Sequence, residues 1–104
     1  MRIELVARED FGDKIILSAA LDPTGAIDLA AWVADPAPWP FQRGTLTGDL
    51  IRIDELWALR ADGNDDAPLW LLDLSLLRPG ETVALRAPSG DTTSFLIVAV
   101  TQAQ

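Results

Sequence analysis

The chain has 104 residues and a formal net charge of −8, from 16 acidic and 8 basic residues. Hydrophobic residues make up 49% and charged residues 23%, which is close to the average of soluble globular domains, so we expect one folded domain over residues 1–104. The absence of histidine and cysteine removes the usual zinc ligands, the Ser-His-Asp and Cys-His nucleophiles, and any disulfide. We therefore predict no enzymatic activity, no catalytic residues and no cofactor.

The acidic balance argues against nucleic acid and anionic membrane surfaces as partners. Binding to phosphates needs clustered basic residues, whereas Lys14 and the arginines are scattered along the chain. In the N-terminal half, no run without a charge is longer than 15–21, which is far shorter than the roughly 20 residues of a membrane helix. Acidic residues at Glu4 and Glu9 are untypical of a signal peptide, so a cytoplasmic location is the expectation. Another protein or a second copy of the chain remains as a partner.

Alternation of apolar and polar residues predicts strands in the first third of the chain. The apolar residues recur at every second position over 3–7 and again over 15–21. The tetrapeptide Asp-Pro-Thr-Gly at 22–25 is typical of a turn, because proline presets φ and glycine accepts a left-handed conformation. The alternation resumes over 27–33, which predicts a hairpin; the alternative is a short helix at 26–34, favoured by its alanines.

Prolines then interrupt the pattern. The segment 36–40 cannot lie inside a helix or a central strand, and we predict a stiff, extended connection. A strand over 41–47 should end at a turn formed by Gly48 and Asp49, and a second strand should cover 50–53. The alternation fails over 54–59, where a short helical turn is one interpretation, and 61–68 is an acidic loop.

The last third of the chain again predicts strands separated by turns. The run 69–77 is apolar on parts of both faces, and so is the run 92–101, so both are expected to be central strands. The turns at 78–81 and 88–91 enclose a strand over 82–87. In total the sequence predicts an all-β fold, a single small antiparallel sandwich or barrel of about seven to eight short strands. The alternative is an α+β fold with a short helix at 26–34.

Four tryptophans are many for this length, and large aromatic residues supply both cores and binding surfaces. Trp57 and Trp70 flank the acidic loop, so we expect them to meet across a hairpin and to serve the core. Trp39 lies among the prolines and Trp32 lies near acidic residues, so both are candidates for a contact surface with an acidic rim, and packing on the core is the competing interpretation. The candidate binding residues are Trp32, Trp39, Pro38, Pro40, Asp28 and Asp35.

The acidic loop is a candidate cation site. Asp62, Asn64 and Asp66 place oxygen ligands at alternate positions, as a tight loop around calcium does. The longer EF-hand pattern is not met, because Ala67 stands where the sharp-turn glycine belongs and no glutamate closes the loop. The competing interpretation is a solvated loop whose side chains bond to their own backbone.

The leading functional hypothesis is a non-catalytic binding or protein-interaction module that uses the tryptophan and proline residues. One alternative is a ligand- or cation-binding domain that uses the acidic loop at 62–66. The other alternative is a self-associating structural domain, in which an exposed edge strand pairs with that of a second copy.

Overall fold

The computed structural model describes residues 1–34, 39–53, 56–62, 70–73 and 76–101. Eight antiparallel strands follow one another around a closed barrel, in which each strand is hydrogen-bonded to the next and β8 to β1. The predicted all-β fold of about seven to eight antiparallel strands is therefore confirmed, and of the sandwich and the barrel it is the barrel that forms. The strands are β1 (Arg2–Ala7), β2 (Lys14–Ser18), β3 (Trp39–Arg43), β4 (Leu46–Ile53), β5 (Leu56–Ala61), β6 (Trp70–Asp73), β7 (Thr82–Arg86) and β8 (Thr92–Thr101). One helix, α1 (Leu29–Ala34), lies between β2 and β3.

Alternation along the strands fills the inside of the barrel with apolar side chains. In β1 and β2, for example, Ile3 lies opposite Leu17 and Leu5 opposite Ile15, and all four are almost fully buried. An eight-stranded barrel has an interior just wide enough for side chains to fill. The buried core consists of Ile3, Leu5, Ala7, Ile15, Leu17, Ala19, Phe41, Leu50, Leu59, Leu72, Leu77, Val83, Leu85, Phe95 and Ile97.

The two ends of the barrel differ in how they are covered. Because consecutive strands run in opposite directions, the starts of the odd-numbered strands and the ends of the even-numbered strands share one end. We call it the tryptophan end, since Trp39 begins β3, Trp57 lies near the start of β5, and α1 in the β2–β3 connection carries Trp32. The opposite end, where residues 8–13 join β1 to β2 and residues 87–91 join β7 to β8, is called the turn end.

The predicted turn after β2 is confirmed. Gly25 has a φ of 95°, a left-handed conformation that favours glycine. The Asp22 carboxylate accepts hydrogen bonds from the Thr24 amide at 2.8 Å and from the Ala26 amide at 3.2 Å. Beyond the turn, a single antiparallel bridge between Leu21 and Ile27 is formed instead of a hairpin.

The strand predicted over 27–33, which used Ile27, Leu29, Ala31 and Val33, is wrong. The chain forms α1 there, which starts three residues inside the alternative helix at 26–34 and ends with it. Asp28 explains the start, because its carboxylate accepts a hydrogen bond from the Ala31 amide at 3.1 Å. Alanine favours a helix more than it favours a strand, so local propensity outweighs the alternation.

The turn predicted at Gly48 and Asp49 is also wrong. The chain turns at Gly44, whose φ is 61°, and β4 runs straight through Gly48. A Cβ atom on Gly48 would lie 2.0 Å from the backbone oxygen of Arg60 and 2.6 Å from Cε1 of Phe41. Glycine is needed here for the close approach of two neighbouring strands, not for a turn.

Further boundaries differ from the predictions. β3 begins at Trp39, so Trp39 and Pro40 belong to a strand and not to the extended connection predicted over 36–40. The run around 54–59 forms β5 from Leu56 onward instead of a helical turn, with Leu56 opposite Ile53, while residues 54 and 55 lie outside the described residues. The strand predicted over 69–77 is described as the shorter β6. Leu77 follows it outside any strand, yet it is 1% exposed and donates its amide hydrogen to the Gly25 carbonyl at 2.8 Å.

Candidate functional site at the tryptophan end

Trp57 occupies an inward-facing position at the edge of the core. It lies two residues before Leu59, which is fully buried, and it is opposite Arg52 of β4 and Leu72 of β6. Because Trp57 is near the start of β5, its ring lies where the packed interior meets the end of the barrel. The side chain is accordingly half-buried and packs against the core cluster.

Two more tryptophans and an arginine surround the Trp57 ring. Trp39 stacks on it with ring centroids 6.2 Å apart and an interplanar angle of 17°, while Trp32 meets it edge-on at 5.8 Å and 84°. The guanidinium carbon of Arg52 lies 4.9 Å from the ring centroid. Aromatic pairs contribute about 0.5–1.5 kcal/mol each beyond the area they bury. All four side chains are half-buried, so the cluster has one side against the core and another towards solvent.

Asp28 positions Trp32 within this cluster. The Asp28 amide donates to the Ala20 carbonyl at 2.9 Å, which ties the start of α1 to the end of the barrel. Its own carbonyl accepts the Trp32 amide at 3.1 Å, and its carboxylate caps the helix through Ala31. The residue predicted as part of an acidic rim therefore also orients a ring of the cluster.

Pro40 follows Trp39 in β3 and is exposed. It is paired with Asp49 of β4 on one side. On the other side it has no partner among the described residues of β2, because the last pair between β2 and β3 is that of Leu17 with Phe41. Proline has no amide hydrogen to donate, which explains why that pairing stops there. The other two candidate binding residues, Asp35 and Pro38, lie outside the described residues.

Trp70 belongs to the opposite end of the barrel, so the expected contact between Trp57 and Trp70 is wrong. Trp70 lies opposite Leu59, and its ring packs edge-on against Phe41 at 6.2 Å and 78°. The Arg43 guanidinium carbon lies 4.6 Å from the Trp70 centroid, and Nε of Arg43 donates to Oδ1 of Asp13 at 2.8 Å. This half-buried ion pair covers the core at the turn end.

The proposed cation ligands are represented by Asp62 alone, since Asn64 and Asp66 lie outside the described residues. The Asp62 carboxylate accepts a hydrogen bond from the Thr47 hydroxyl at 2.8 Å, and the Asp62 amide donates to the Thr47 carbonyl at 3.0 Å. Within the part of the chain that the structure describes, no three Asp, Glu, His or Cys side chains are grouped closely enough to hold a metal. Nor does any described helix have the length and apolar character needed to cross a membrane.

The described tryptophan end offers aromatic faces and a guanidinium, which suit non-covalent contact with another molecule. The chain matches no protein-family model, no curated protein and no solved structure.

Sequence reasoning did not identify Arg52 and Arg43 as members of the two end clusters. The sequence nevertheless contained a sign of both. Arg52 comes two residues after the buried Leu50 in β4, and Arg43 comes two residues after the buried Phe41 in β3, so each arginine lies on the inward face of its strand. An arginine at an inward-facing position is expected to lie at a barrel end, with an aromatic ring or a carboxylate as its partner.

Proposed function

We propose that this protein is a non-catalytic interaction module that binds another protein through its tryptophan end. The observation that carries the proposal is the arrangement of Trp32, Trp39 and Arg52 around Trp57, with every one of these side chains still in part open to solvent. Tryptophan and arginine are the residue types most enriched among those that dominate protein–protein binding energy.

Preorganisation supports the same role. Trp57 is fixed by the strands on both sides of it, and it holds the rings of Trp32 and Trp39 against itself. A surface whose large side chains are already immobilised loses less conformational entropy on binding. If the rings served only the core, the part of each ring that remains exposed to solvent would contribute nothing to the stability of the fold.

The charge favours a different protein over a second copy. A net charge of −8 attracts a basic or neutral partner surface over long range, whereas two copies repel each other. Self-association through an edge strand also lacks support, since each described strand is hydrogen-bonded on both sides.

The test is gentle affinity purification of the tagged protein from its own host, followed by the native mass of the eluted complex. We expect a stoichiometric second protein with the wild type and its loss with Trp32→Ala. The matched control is Leu46→Ser, because Leu46 is a 38% exposed apolar side chain at the turn end. Circular dichroism checks that both variants remain folded.

A partner retained equally by Trp32→Ala and the wild type would show that the contact lies elsewhere. A wild-type mass equal to the chain alone, with no co-purifying protein, would contradict an interaction module. A multiple of the chain mass without a foreign protein would favour self-association instead.

A further inference from the structure

The outer wall of the barrel carries a groove whose described lining residues include none of the tryptophans. It crosses β1, β8 and β7, reaches β6 and the start of β5, and consists of three adjoining depressions. Arg8 lines both the first and the second, and Thr92 lines both the second and the third. The shared residues show that the three depressions adjoin one another.

Both flanks of the groove are apolar. On the β1 side, Phe11 is 82% exposed and lies beside Leu96 and Val98. On the far side, the groove reaches Leu71 of β6 and Leu56 of β5. Exposed apolar patches that border polar residues mark interaction sites and ligand-binding grooves.

The centre of the groove is positively charged. Arg8 and Arg86 are both exposed, with Arg86 opposite Thr92 in the β7–β8 pair. Arg8 extends across β8 and donates a long hydrogen bond of 3.4 Å to the Thr82 hydroxyl. Among the described residues that line the groove, Glu9 is the carboxylate, and two guanidinium groups outweigh it. The ion pairs among the described residues use other cations, namely Arg2, Lys14, Arg43 and Arg78.

We propose that this groove binds a segment of a partner protein in which acidic residues stand between apolar residues. Guanidinium groups bind carboxylates in paired, charge-assisted hydrogen bonds, and the Thr92 and Ser94 hydroxyls offer further donors. The apolar flanks accept the segment's apolar side chains on either side of that centre. A small free anion would use the arginines alone and leave Phe11 and Leu56 without a role.

The dimensions fit a short peptide. From β1 to β5 there are four strand-to-strand steps, which follow half of the circumference of the barrel and at the usual spacing amount to an arc of about 19 Å. An extended chain covers that distance with about six residues. The two arginines at the centre of the groove are complementary in charge to an acidic segment.

The test is selection of a random twelve-residue peptide display library on the immobilised full-length protein. We expect enrichment of peptides with Asp or Glu between apolar residues. Arg8→Glu combined with Arg86→Glu should weaken the selected peptides roughly tenfold or more, since charge-assisted hydrogen bonds become repulsions. The control combines Arg2→Glu with Arg78→Glu, which changes the net charge equally at two exposed arginines that line none of the three depressions.

Enrichment of basic peptides, or of no pattern at all, would overturn the assignment. So would acidic peptides that bind the Arg8 and Arg86 variant as tightly as the control. Peptides that lose affinity with Trp32→Ala but not with the arginine variant would support the tryptophan end alone and count against the groove. The two proposals can thus succeed or fail separately.

Discussion

Trp57 should contribute far more to stability than Trp32, although both are half-buried tryptophans of one cluster. The change Trp57→Ala removes the stack with Trp39, the edge contact with Trp32 and the interaction with Arg52. These pairs are worth about 0.5–1.5 kcal/mol for each aromatic partner and about 0.5–1 kcal/mol for the cation. With the lost burial against the core, we expect a total cost of about 3–5 kcal/mol.

Trp32→Ala removes the edge contact and part of the burial at α1. Alanine also raises helix propensity by about 0.5 kcal/mol, so we expect a net cost of about 1 kcal/mol. Urea unfolding followed by far-ultraviolet circular dichroism distinguishes the two variants. With a slope of about 2 kcal/mol per molar, the midpoint should fall by about 2 M for Trp57→Ala and by about 0.5 M for Trp32→Ala.

A double-mutant cycle tests the contact itself. If the edge-on geometry is correct, the coupling free energy between Trp32 and Trp57 should be about 1 kcal/mol. A coupling of zero, or a cost for Trp32→Ala equal to that for Trp57→Ala, would refute the assignment of Trp57 as the scaffold and Trp32 as the contact residue.

Two further predictions concern the loops and the strand pairing. Gly48→Ala should lower the stability by about 3 kcal/mol, measured by thermal unfolding, because the added Cβ atom meets backbone atoms. The control Gly12→Ala should be neutral, because the nearest atom to its added Cβ is 3.4 Å away. Equal stabilities of the two variants would disprove the close approach at Gly48. A hydrogen bond from the Thr24 hydroxyl, helped by backbone amides, holds the pKa of the Asp22 carboxyl below its ordinary value of 3.8. The charged form therefore stabilises the fold above that pH, so the advantage of the wild type over Asp22→Asn should be full near neutral pH and fade as the pH falls below about 3.8. A difference in melting temperature that persists or grows on acidification would contradict this.

Much of the barrel could be predicted because its strands bury one face. Residues such as Ile3, Leu17 and Val83 alternate with polar neighbours, and a filled interior requires that pattern. The pattern failed where another constraint was stronger. At α1 the cap supplied by Asp28 and the run of alanines outweighed an accidental alternation, and at Gly48 a glycine served close packing, which only the neighbouring strand reveals.

The site was less predictable, because it depends on which strands meet. The sequence indicated Trp32 and Trp39 as surface candidates, and the fold brings both to one end. It did not indicate that Trp57, expected to serve the core beside Trp70, would lie between them. That arrangement follows from the register of β4, β5 and β6, which no local pattern encodes. Local alternation specifies the face on which a residue lies, but not its neighbours across the barrel.

Closure of the barrel restricts how this protein can bind a partner. The interior is occupied by core side chains such as Phe95, and each described strand is already paired on both sides. A partner therefore cannot add a strand to any of them, although strand addition is a common mode of recognition for open sheets.

Binding must then rely on side chains that the closed barrel holds on its outer wall or at its ends. Among the described residues, two surfaces combine solvent-accessible apolar side chains with positively charged arginines. They are the tryptophan end, with Arg52, and the groove, with Arg8 and Arg86. Substitutions of the contact residues on these two surfaces, Trp32 on one and Arg8 with Arg86 on the other, should accordingly weaken binding while leaving the fold intact.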